Sequence, residues 1–587
     1  MIHIIYVIMS ASTLVTASAL VSALDQLNNN QYGENNHIEY AWSEIQQEKI
    51  LQLSFQLVRT SDPTRRYNLA NKFKECFQNG NIEDRKILIK LLAHTRDIEE
   101  GKGEYALSFA IIKALSEEEE YREMCVALMC NFVGVSSNST KVVSQKPMGS
   151  WKDMKYLFNE LQSCPTELID IINIQLREDI NDMNNNKPCS LLAKWLPREK
   201  SKKFGWIHKF LAMNYFEGVG WGSSGWNKGA TNKAQTYYRK VVSTLNRYID
   251  TVQVKQCGQV WKTIDFDKVT SITMMKQRKS FLNGKNLNDN DRIICRQHLL
   301  DYMEQVKQGT KEIKGRRTSM IDFIKAALQL KNENENNDEN DSHERFLINE
   351  AWKNNSKDTK SLENMIAMVD TSGSMESENS HPLYSAMGLG IRIAEKSKLG
   401  KRIMTFDTNP TWLNLEGCKD FVEEVHTVRN AGWGMNTNFH KAMELILDQI
   451  KLNRVPEEDV ENLVLVVFSD MQFDAAEINE EQLIEQQQQP TENVRQILKR
   501  KFHDAGIEIC GKGYKMPHIL FWNLRSTDGF PELSYQDNVT MLSGYSPMLL
   551  NSFLQEGMTG LKDITPWNML KKMLDNERYN HLEDLVK

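Results

Sequence analysis

The segment that decides the fold is MIAMVDTSGSM at residues 365–375. Its first five residues are apolar, and a run of that length is typical of a buried strand. The run ends at Asp370, and Ser372 and Ser374 follow at alternate positions. The pattern predicts a strand whose carboxyl end presents one carboxylate and two hydroxyl groups on a single tight loop.

Four more short apolar runs follow this segment. They are Arg402–Phe406, Leu463–Phe468, His518–Trp522 and Val539–Leu542. Helix-like periodicity separates the runs, near 382–398, 438–452, 491–504 and 547–556. Uniformly apolar strands that alternate with helices indicate a parallel sheet covered on both faces. We therefore predict an α/β doubly wound domain over residues 344–587, with its ligand site at the carboxyl ends of the strands.

Two later segments add oxygen atoms at the same predicted edge. Thr437 lies just before a predicted helix, and Asp470 ends the buried run that begins at Leu463. Together with Asp370, Ser372 and Ser374 they offer two carboxylates and three hydroxyls, which suit Mg²⁺ or Mn²⁺ better than zinc. A capping turn without metal is the alternative, but capping does not account for the two other loops. The sequence predicts a magnesium or manganese site.

The part before this domain is mostly helical. Between residues 42 and 330, apolar residues recur at spacings of three and four. Successive helices of this kind predict an α-helical repeat resembling a HEAT-like α-solenoid. The predicted domains are an N-terminal helix and loop (1–39), a helical-repeat domain (40–330), a low-complexity linker (331–343) and the α/β domain (344–587).

Composition narrows the class of protein. The chain has 587 residues, of which 40% are hydrophobic and 26% charged, as in soluble globular proteins. These values exclude a collagen, a coiled-coil rod, a multi-span membrane protein and a mostly disordered chain. The nine cysteines include no CxxC pair, which disfavours a zinc site or a disulfide framework and favours an intracellular chain. We expect a cytoplasmic location, in the host cytoplasm or the virion if the Asn-rich chain is viral.

The first 24 residues allow two interpretations, a signal peptide or an amphipathic helix. They are apolar enough for a signal peptide, although no Lys or Arg precedes the apolar run. Alternatively, translation starts at Met9, and the following residues form an amphipathic helix with Leu14, Ala17, Leu20 and Leu24 on one stripe. Neither reading leads us to expect a membrane-bound protein.

The charge of the chain is unevenly distributed. The net charge is −6, yet Lys187–Arg317 holds 26 Lys and Arg against 10 Asp and Glu. Aromatic residues interleave with these cations, as in proteins that bind single-stranded nucleic acid. The alternative is a lysine-bearing helical surface over an aromatic core. We predict RNA binding, with candidate contacts at Arg96, Lys102, Lys194, Lys202, Lys203, Arg239, Lys240, Arg278 and Lys279.

The five metal-site residues resemble the metal-ion-dependent adhesion site of von Willebrand factor A domains. In that family the pattern is DxSxS after the first strand, a Thr in a second loop and an Asp in a third. Asp370, Ser372, Ser374, Thr437 and Asp470 match it in that order. The resemblance implies that the metal keeps one coordination position open for an acidic group of a protein partner.

Two resemblances concern the whole layout. Helical repeats followed by an A domain look like the Ro/TROVE ring proteins, which bind misfolded small RNAs and hairpin RNAs. A closer resemblance is to an uncharacterised family, a domain of unknown function found in large DNA viruses, fungi and plants. The segments that carry it are RD at 96–97, GKGE at 101–104, WKD at 151–153, AKWLP at 193–197, YRK at 238–240, WG at 433–434, FSDMQF at 468–473 and FWNLR at 521–525.

Three functional classes follow from these patterns. The leading one is a non-enzymatic, metal-dependent scaffold that binds RNA through the basic helical region. The second is a protein–protein adaptor whose metal grips an acidic partner residue without RNA. The third is a metal-dependent hydrolase, although the sequence contains neither a P-loop nor a GxSxG nucleophile motif and no second metal cluster accompanies the carboxylates.

Overall fold

The computed structural model describes residues 29–135, 146–217, 225–283, 288–330, 339–362, 364–432, 434, 437–474, 494–554 and 564–586. The chain divides into two compact units. The sheet unit comprises residues 1–63, 75–84 and 359–573, and the helical unit comprises residues 64–74, 85–358 and 574–587. Among the described helices, none is both long and apolar enough to cross a lipid bilayer.

This division differs from the predicted boundaries at 40–330 and 344–587. Residues 40–63 belong to the sheet unit, since Tyr40 and Phe530 exchange two backbone hydrogen bonds of 3.0 Å. Residues 574–587 belong to the helical unit, since both Nε and a terminal nitrogen of Arg578 donate to the buried Asp97 carboxylate at 2.7 Å. Contacts between residues so distant in sequence leave no local sequence signal.

The N-terminal segment contains strands where a loop was expected. Strands β1 (Asn30–Tyr32) and β2 (Ile38–Tyr40) pair antiparallel as a hairpin. The predicted loop is therefore wrong for these residues. The predicted N-terminal helix lies within residues 1–28, outside the described residues.

A six-stranded sheet forms the centre of the sheet unit, in the order β5-β4-β3-β6-β7-β8. Its strands are β3 (Met365–Asp370), β4 (Arg402–Phe406), β5 (Thr411–Asn414), β6 (Val464–Ser469), β7 (His518–Asn523) and β8 (Val539–Ser543). All neighbours are parallel except β4 and β5. The predicted sheet is confirmed, but it is mostly rather than entirely parallel, because the edge strand β5 runs antiparallel to β4. Every residue of β3, β6, β7 and β8 is buried.

The sheet unit also contains helices, and one of them packs closely against β3 at a glycine. The helices of the sheet unit are Gln46–Gln56, Ser377–Lys396 (with residues 378–380 outside helical φ/ψ), Phe421–Arg429, Phe439–Asn453, Glu457–Glu461, Val494–Cys510, Leu549–Leu554 and Pro566–Leu574, the last residue of which falls in the helical unit. A Cβ atom on Gly390 would lie 2.6 Å from Cγ2 of Val369. Gly390 therefore allows the helix after the DxSxS loop to approach β3 closely.

The helical unit contains most of the remaining helices. They are Tyr105–Ser116, Arg122–Val133, Lys152–Leu161, Thr166–Asn184, Leu192–Trp195, Gly205–Tyr215, Lys228–Ile249, Val252–Cys257, Ser271–Leu282, Asn290–Lys307, Met320–Leu328, Glu339–Ser356 and Glu577–Asn580. The division passes through two more, Pro63–Asn79 and Ile82–Arg96. The helix-rich N-terminal region is thus confirmed.

Buried polar side chains join several of these helices. The amide of Asn173 donates to the carbonyl of Leu211 at 3.0 Å, and its oxygen accepts from the Tyr238 hydroxyl at 3.1 Å. One side chain thereby links Thr166–Asn184, Gly205–Tyr215 and Lys228–Ile249. Satisfied polar networks of this kind fix the register of neighbouring helices.

Part of the predicted linker (residues 331–343) is helical in the structure. Residues 339–343 belong to helix Glu339–Ser356, so the linker assignment is wrong for them. Leu347, Ile348 and Trp352 of this helix are buried, which explains why its polar first turn is still helical. Residues 331–338 lie outside the described residues.

Gly390→Ala tests the close contact between helix and sheet. Alanine favours a helix by about 1 kcal/mol over glycine, but the added Cβ overlaps Val369. We expect a net loss of about 1–2 kcal/mol because overpacking costs more than the helix gains. Hydrogen–deuterium exchange of β3 peptides measures the loss.

The control is Gly417→Ala, where an added Cβ meets no atom within 4 Å. It should change protection by no more than about 0.5 kcal/mol. Equal or greater protection of β3 in Gly390→Ala would show that this contact is not tight.

Candidate functional site

The candidate site lies at the carboxyl edge of the sheet, where the strand order changes direction. The chain runs from β3 to β4 on one side and later returns to place β6 on the other side of β3. In doubly wound sheets such a switch point forms a crevice that binds ligands. Asp370 ends β3, and Asp470 directly follows β6, so both carboxylates lie at this point.

The first loop is organised around Asp370, which is completely buried. One carboxylate oxygen accepts a 2.9 Å hydrogen bond from the backbone N–H of Ser372. The other accepts a 2.5 Å hydrogen bond from the hydroxyl of Ser469. The hydroxyl oxygens of Ser372 and Ser374 are 3.1 Å apart, so the two hydroxyls of the DxSxS loop converge.

Backbone contacts bring the second and third loops to the first. Ser372 and Gly434 form an isolated parallel bridge. The backbone N–H of Asp474 donates to the carbonyl of Thr437 at 2.9 Å. Thr437 is buried, and it directly precedes Asn438, whose side chain caps the helix Phe439–Asn453. The loops that carry Ser372, Thr437 and Asp470 are therefore connected to one another.

Asp470 is neutralised by an arginine that the sequence analysis did not assign to the site. Nε of Arg525 donates to the buried carboxylate of Asp470 at 2.8 Å. Two terminal nitrogens of Arg525 also donate to the carboxylate of Glu34, at 3.2 and 2.8 Å. Arg525 thus connects the N-terminal hairpin to the candidate site.

The two buried carboxylates repel each other. Burial and, next, the charge of Asp470 raise the pKa of Asp370 to about 7. Arg525 supplies a positive charge to Asp470, whereas the hydrogen bonds that Asp370 receives from the described residues come from neutral groups. The donor set is therefore made of hard oxygen atoms with excess negative charge, which fits Mg²⁺ or Mn²⁺.

The site contains few other metal ligands. No group of three or more His, Cys, Asp and Glu side chains with metal-binding potential occurs in the described part of the chain. Any metal here would depend on the hydroxyl groups as well as the two carboxylates.

Arg525 and Glu34 differ in how far the sequence could have indicated them. Arg525 follows β7, the neighbour of β6, so the rule that ligands gather at the carboxyl edge could have included it. Glu34 lies in an Asn-rich segment, 491 residues before Arg525, and no local pattern connects them.

Three of the nine candidate RNA contacts are buried, which corrects the sequence prediction for them. Nε of Arg96 donates to Asp153 at 2.9 Å, and Nε of Arg278 donates to Glu344 at 2.8 Å. Burial lowers the pKa of Lys102 to about 7. These buried side chains do not offer an accessible charge to a phosphate group.

The other six candidates are more accessible. Lys194 is half-buried, with Nζ 5.3 Å from the ring centroid of Trp195. The exposed ones are Lys202, Lys203, Arg239, Lys240 and Lys279. Arg239 pairs with Glu199 at 2.7 Å, and Lys279 lies 3.7 Å from Glu344.

Comparisons with known proteins support part of the resemblance to an uncharacterised family. Residues 364–584 match a family described as a domain of unknown function (DUF7788), and residues 166–363 match another domain of unknown function (DUF2828). Uncharacterized protein L728 of Acanthamoeba polyphaga mimivirus is 24% identical over 521 residues, which cover 84% of this chain and 80% of that protein. Similarity to an uncharacterised viral protein is thus shown, and none of these matches names an activity.

A solved structure also shows a distant likeness. It is the Ro (RSR) protein of Deinococcus radiodurans, with 11% sequence identity and a TM-score of 0.32, covering 87% of this chain and 99% of that chain. At this score the likeness carries no conclusion about the fold or function of this chain.

Arg525→Met tests the balance of charge at the site. Removing the guanidinium leaves Asp470 buried beside Asp370 without its positive partner, so we expect a loss of about 2–3 kcal/mol in stability. The loss should appear as faster hydrogen–deuterium exchange in peptides covering β3 and β6.

The control is Arg402→Met, which removes a more exposed ion pair with Glu416 in the same unit. It should cost no more than about 1 kcal/mol. Equal effects of the two variants would contradict a special role for Arg525.

Proposed function

We propose that this protein is a metal-dependent binding scaffold whose sheet unit is a von Willebrand factor A-like domain. The observation that carries the proposal is the convergence of Asp370, Ser372 and Asp470 at the switch point of the sheet, with Thr437 on a connected loop. Mg²⁺ or Mn²⁺ would be held by the oxygen atoms of these residues and of Ser374. The metal ion would supply a positive charge and one coordination position for a further oxygen ligand.

The contacts of the two carboxylates support a site that binds a cation. Hydrogen bonds from Ser469 and from the backbone of Ser372 hold the Asp370 carboxylate in place. Arg525 holds Asp470. The site as built positions a cation, and an acidic group of a protein partner would complete it.

RNA binding by the helical unit is the second part of the proposal. It is supported by the excess of 16 positive charges in Lys187–Arg317 and by the exposure of Lys202, Lys203, Arg239 and Lys240. Phosphate contacts by such residues give affinity that falls steeply with salt. The HEAT-like arrangement of the helices remains a prediction. The alternative function is that of a protein adaptor that uses the metal without RNA.

Metal binding is tested by isothermal titration of the full chain with Mn²⁺ and Mg²⁺. We expect one site per chain, and Asp370→Asn should weaken binding at least about tenfold because a buried carboxylate ligand is lost. The control is Asp407→Asn, a buried carboxylate that follows β4 at the same edge and accepts from the N–H of Asn409. If the wild-type chain releases or absorbs no more heat on titration than the Asp370→Asn variant, the metal site is refuted.

RNA binding is tested by fluorescence anisotropy with a labelled single-stranded RNA over a range of salt. Lys202→Glu with Lys203→Glu should weaken binding and lower the slope of log affinity against log salt by about 1.4, the value for two lost phosphate contacts on a single strand.

The control pair for RNA binding is Lys113→Glu with Lys353→Glu, which are exposed residues of the helical unit outside the basic segment. This pair should leave the salt slope unchanged. An equal loss in both pairs would show that binding is non-specific, and absence of binding at low salt would remove RNA from the function.

A further inference from the structure

A cavity of about 730 Å³ lies within the helical unit, formed by three consecutive stretches of chain. It is lined by the segment 193–200, by His208, and by Arg239, Val242, Ser243, Asn246, Arg247, Thr251, Gln253, Val254 and Cys257. Its volume falls in the range of about 300–1,000 Å³ that is typical of small-molecule sites. None of these lining residues belongs to the candidate metal site.

The lining combines an apolar wall with a positive rim. Ala193, Trp195, Leu196, Pro197, Val242 and Val254 supply apolar surface. Lys194, Arg198, Lys200, Arg239 and Arg247 supply positive charge, against the single carboxylate of Glu199. Glu199 already pairs with Arg239 at 2.7 Å, so the rim retains a large positive excess.

Three lysine ammonium groups lie close to the ring of Trp195. The Nζ atoms of Lys152, Lys155 and Lys194 lie 5.6, 5.2 and 5.3 Å from the centroid of its ring. Burial lowers the pKa of Lys155, and the charges of Lys152 and Arg198 lower it further. Ammonium groups that are disfavoured in this way would be stabilised by an anionic ligand.

A buried histidine with an unpartnered ring nitrogen lies at the cavity. His208 lines the cavity with 2% of its surface exposed, and its Nδ1 atom has no hydrogen-bond partner among the described residues. Burial lowers the pKa of His208, which keeps the ring neutral near pH 7. A neutral imidazole can donate or accept one hydrogen bond from a ligand.

We infer that this cavity binds a nucleotide of single-stranded RNA, with the base against the apolar wall and the phosphates along the cationic rim, where the ammonium groups over Trp195 lie. The inference rests on the proposed RNA binding and assigns it a place. A flat, largely apolar base matches the wall, and the phosphates that flank it match the positive rim. An acidic peptide would satisfy the rim but would leave the apolar wall uncovered, so the lining favours RNA.

The test compares two tryptophan substitutions at adjacent positions of helix Lys228–Ile249. Ser243 lines the cavity, whereas the exposed Thr244 does not. Binding of a short fluorescein-labelled oligouridylate to the full chain is measured by anisotropy at about 50 mM salt. Ser243→Trp should weaken binding about tenfold or more by filling the cavity, and Thr244→Trp should bind like the wild type.

A second measurement locates the RNA even if a variant is unstable. The wild-type chain is photocrosslinked to an oligonucleotide carrying 5-iodouridine, and the attached peptides are identified by mass spectrometry. Crosslinks within residues 193–208 or 239–257 support the cavity.

The outcomes separate the two proposals. RNA binding that is unaffected by Ser243→Trp and crosslinks elsewhere overturns the cavity site and leaves RNA binding intact. No binding of the wild type overturns RNA binding itself. Displacement of the labelled RNA by polyglutamate at an equal concentration of charge, together with loss of polyglutamate binding in Ser243→Trp, would assign the cavity to an acidic peptide instead.

Discussion

The burial of two carboxylates, Asp370 and Asp470, at one point of the sheet is the constraint on which the candidate site depends. Both lie at the switch point of the sheet with no exposed surface. Unpaired charges in such a place are costly, so each needs a partner. Arg525 serves Asp470, and hydrogen bonds from Ser469 and the Ser372 backbone serve Asp370. A site with this charge imbalance is suited to take up a cation.

The same constraint explains the role of the N-terminal hairpin in the sheet unit. Glu34 pairs with Arg525, and its backbone N–H donates to the side chain of Gln472 at 2.6 Å. Asn35 donates to the carbonyl of Gln472 at 2.7 Å. Residues near the start of the chain therefore hold both the arginine and the loop that follows Asp470, and the division of the chain into units follows these contacts rather than the order of the sequence.

Much of the sheet could be predicted because its signal is local. Five of its strands are largely apolar runs, and the predicted bounds of β3, β4, β6, β7 and β8 differ from the observed ones by no more than one residue at either end. The edge strand β5 and the hairpin β1–β2 were missed, since each strand is short and only partly buried. Burial also determines which of the charged residues are accessible to a ligand. Arg96, Lys102 and Arg278 count as cations in the sequence, but only the folded chain shows that they lie inside it.

The metal site is the claim on which the proposed function rests, and anomalous diffraction from crystals of the full chain grown with Mn²⁺ tests it most directly. We expect a manganese peak within coordination distance of the oxygen atoms of Asp370, Ser372 or Ser374, with Thr437 or Asp470 adjacent. Well-ordered density for these five residues without a manganese peak among them, or a peak bound only by other residues, would contradict it.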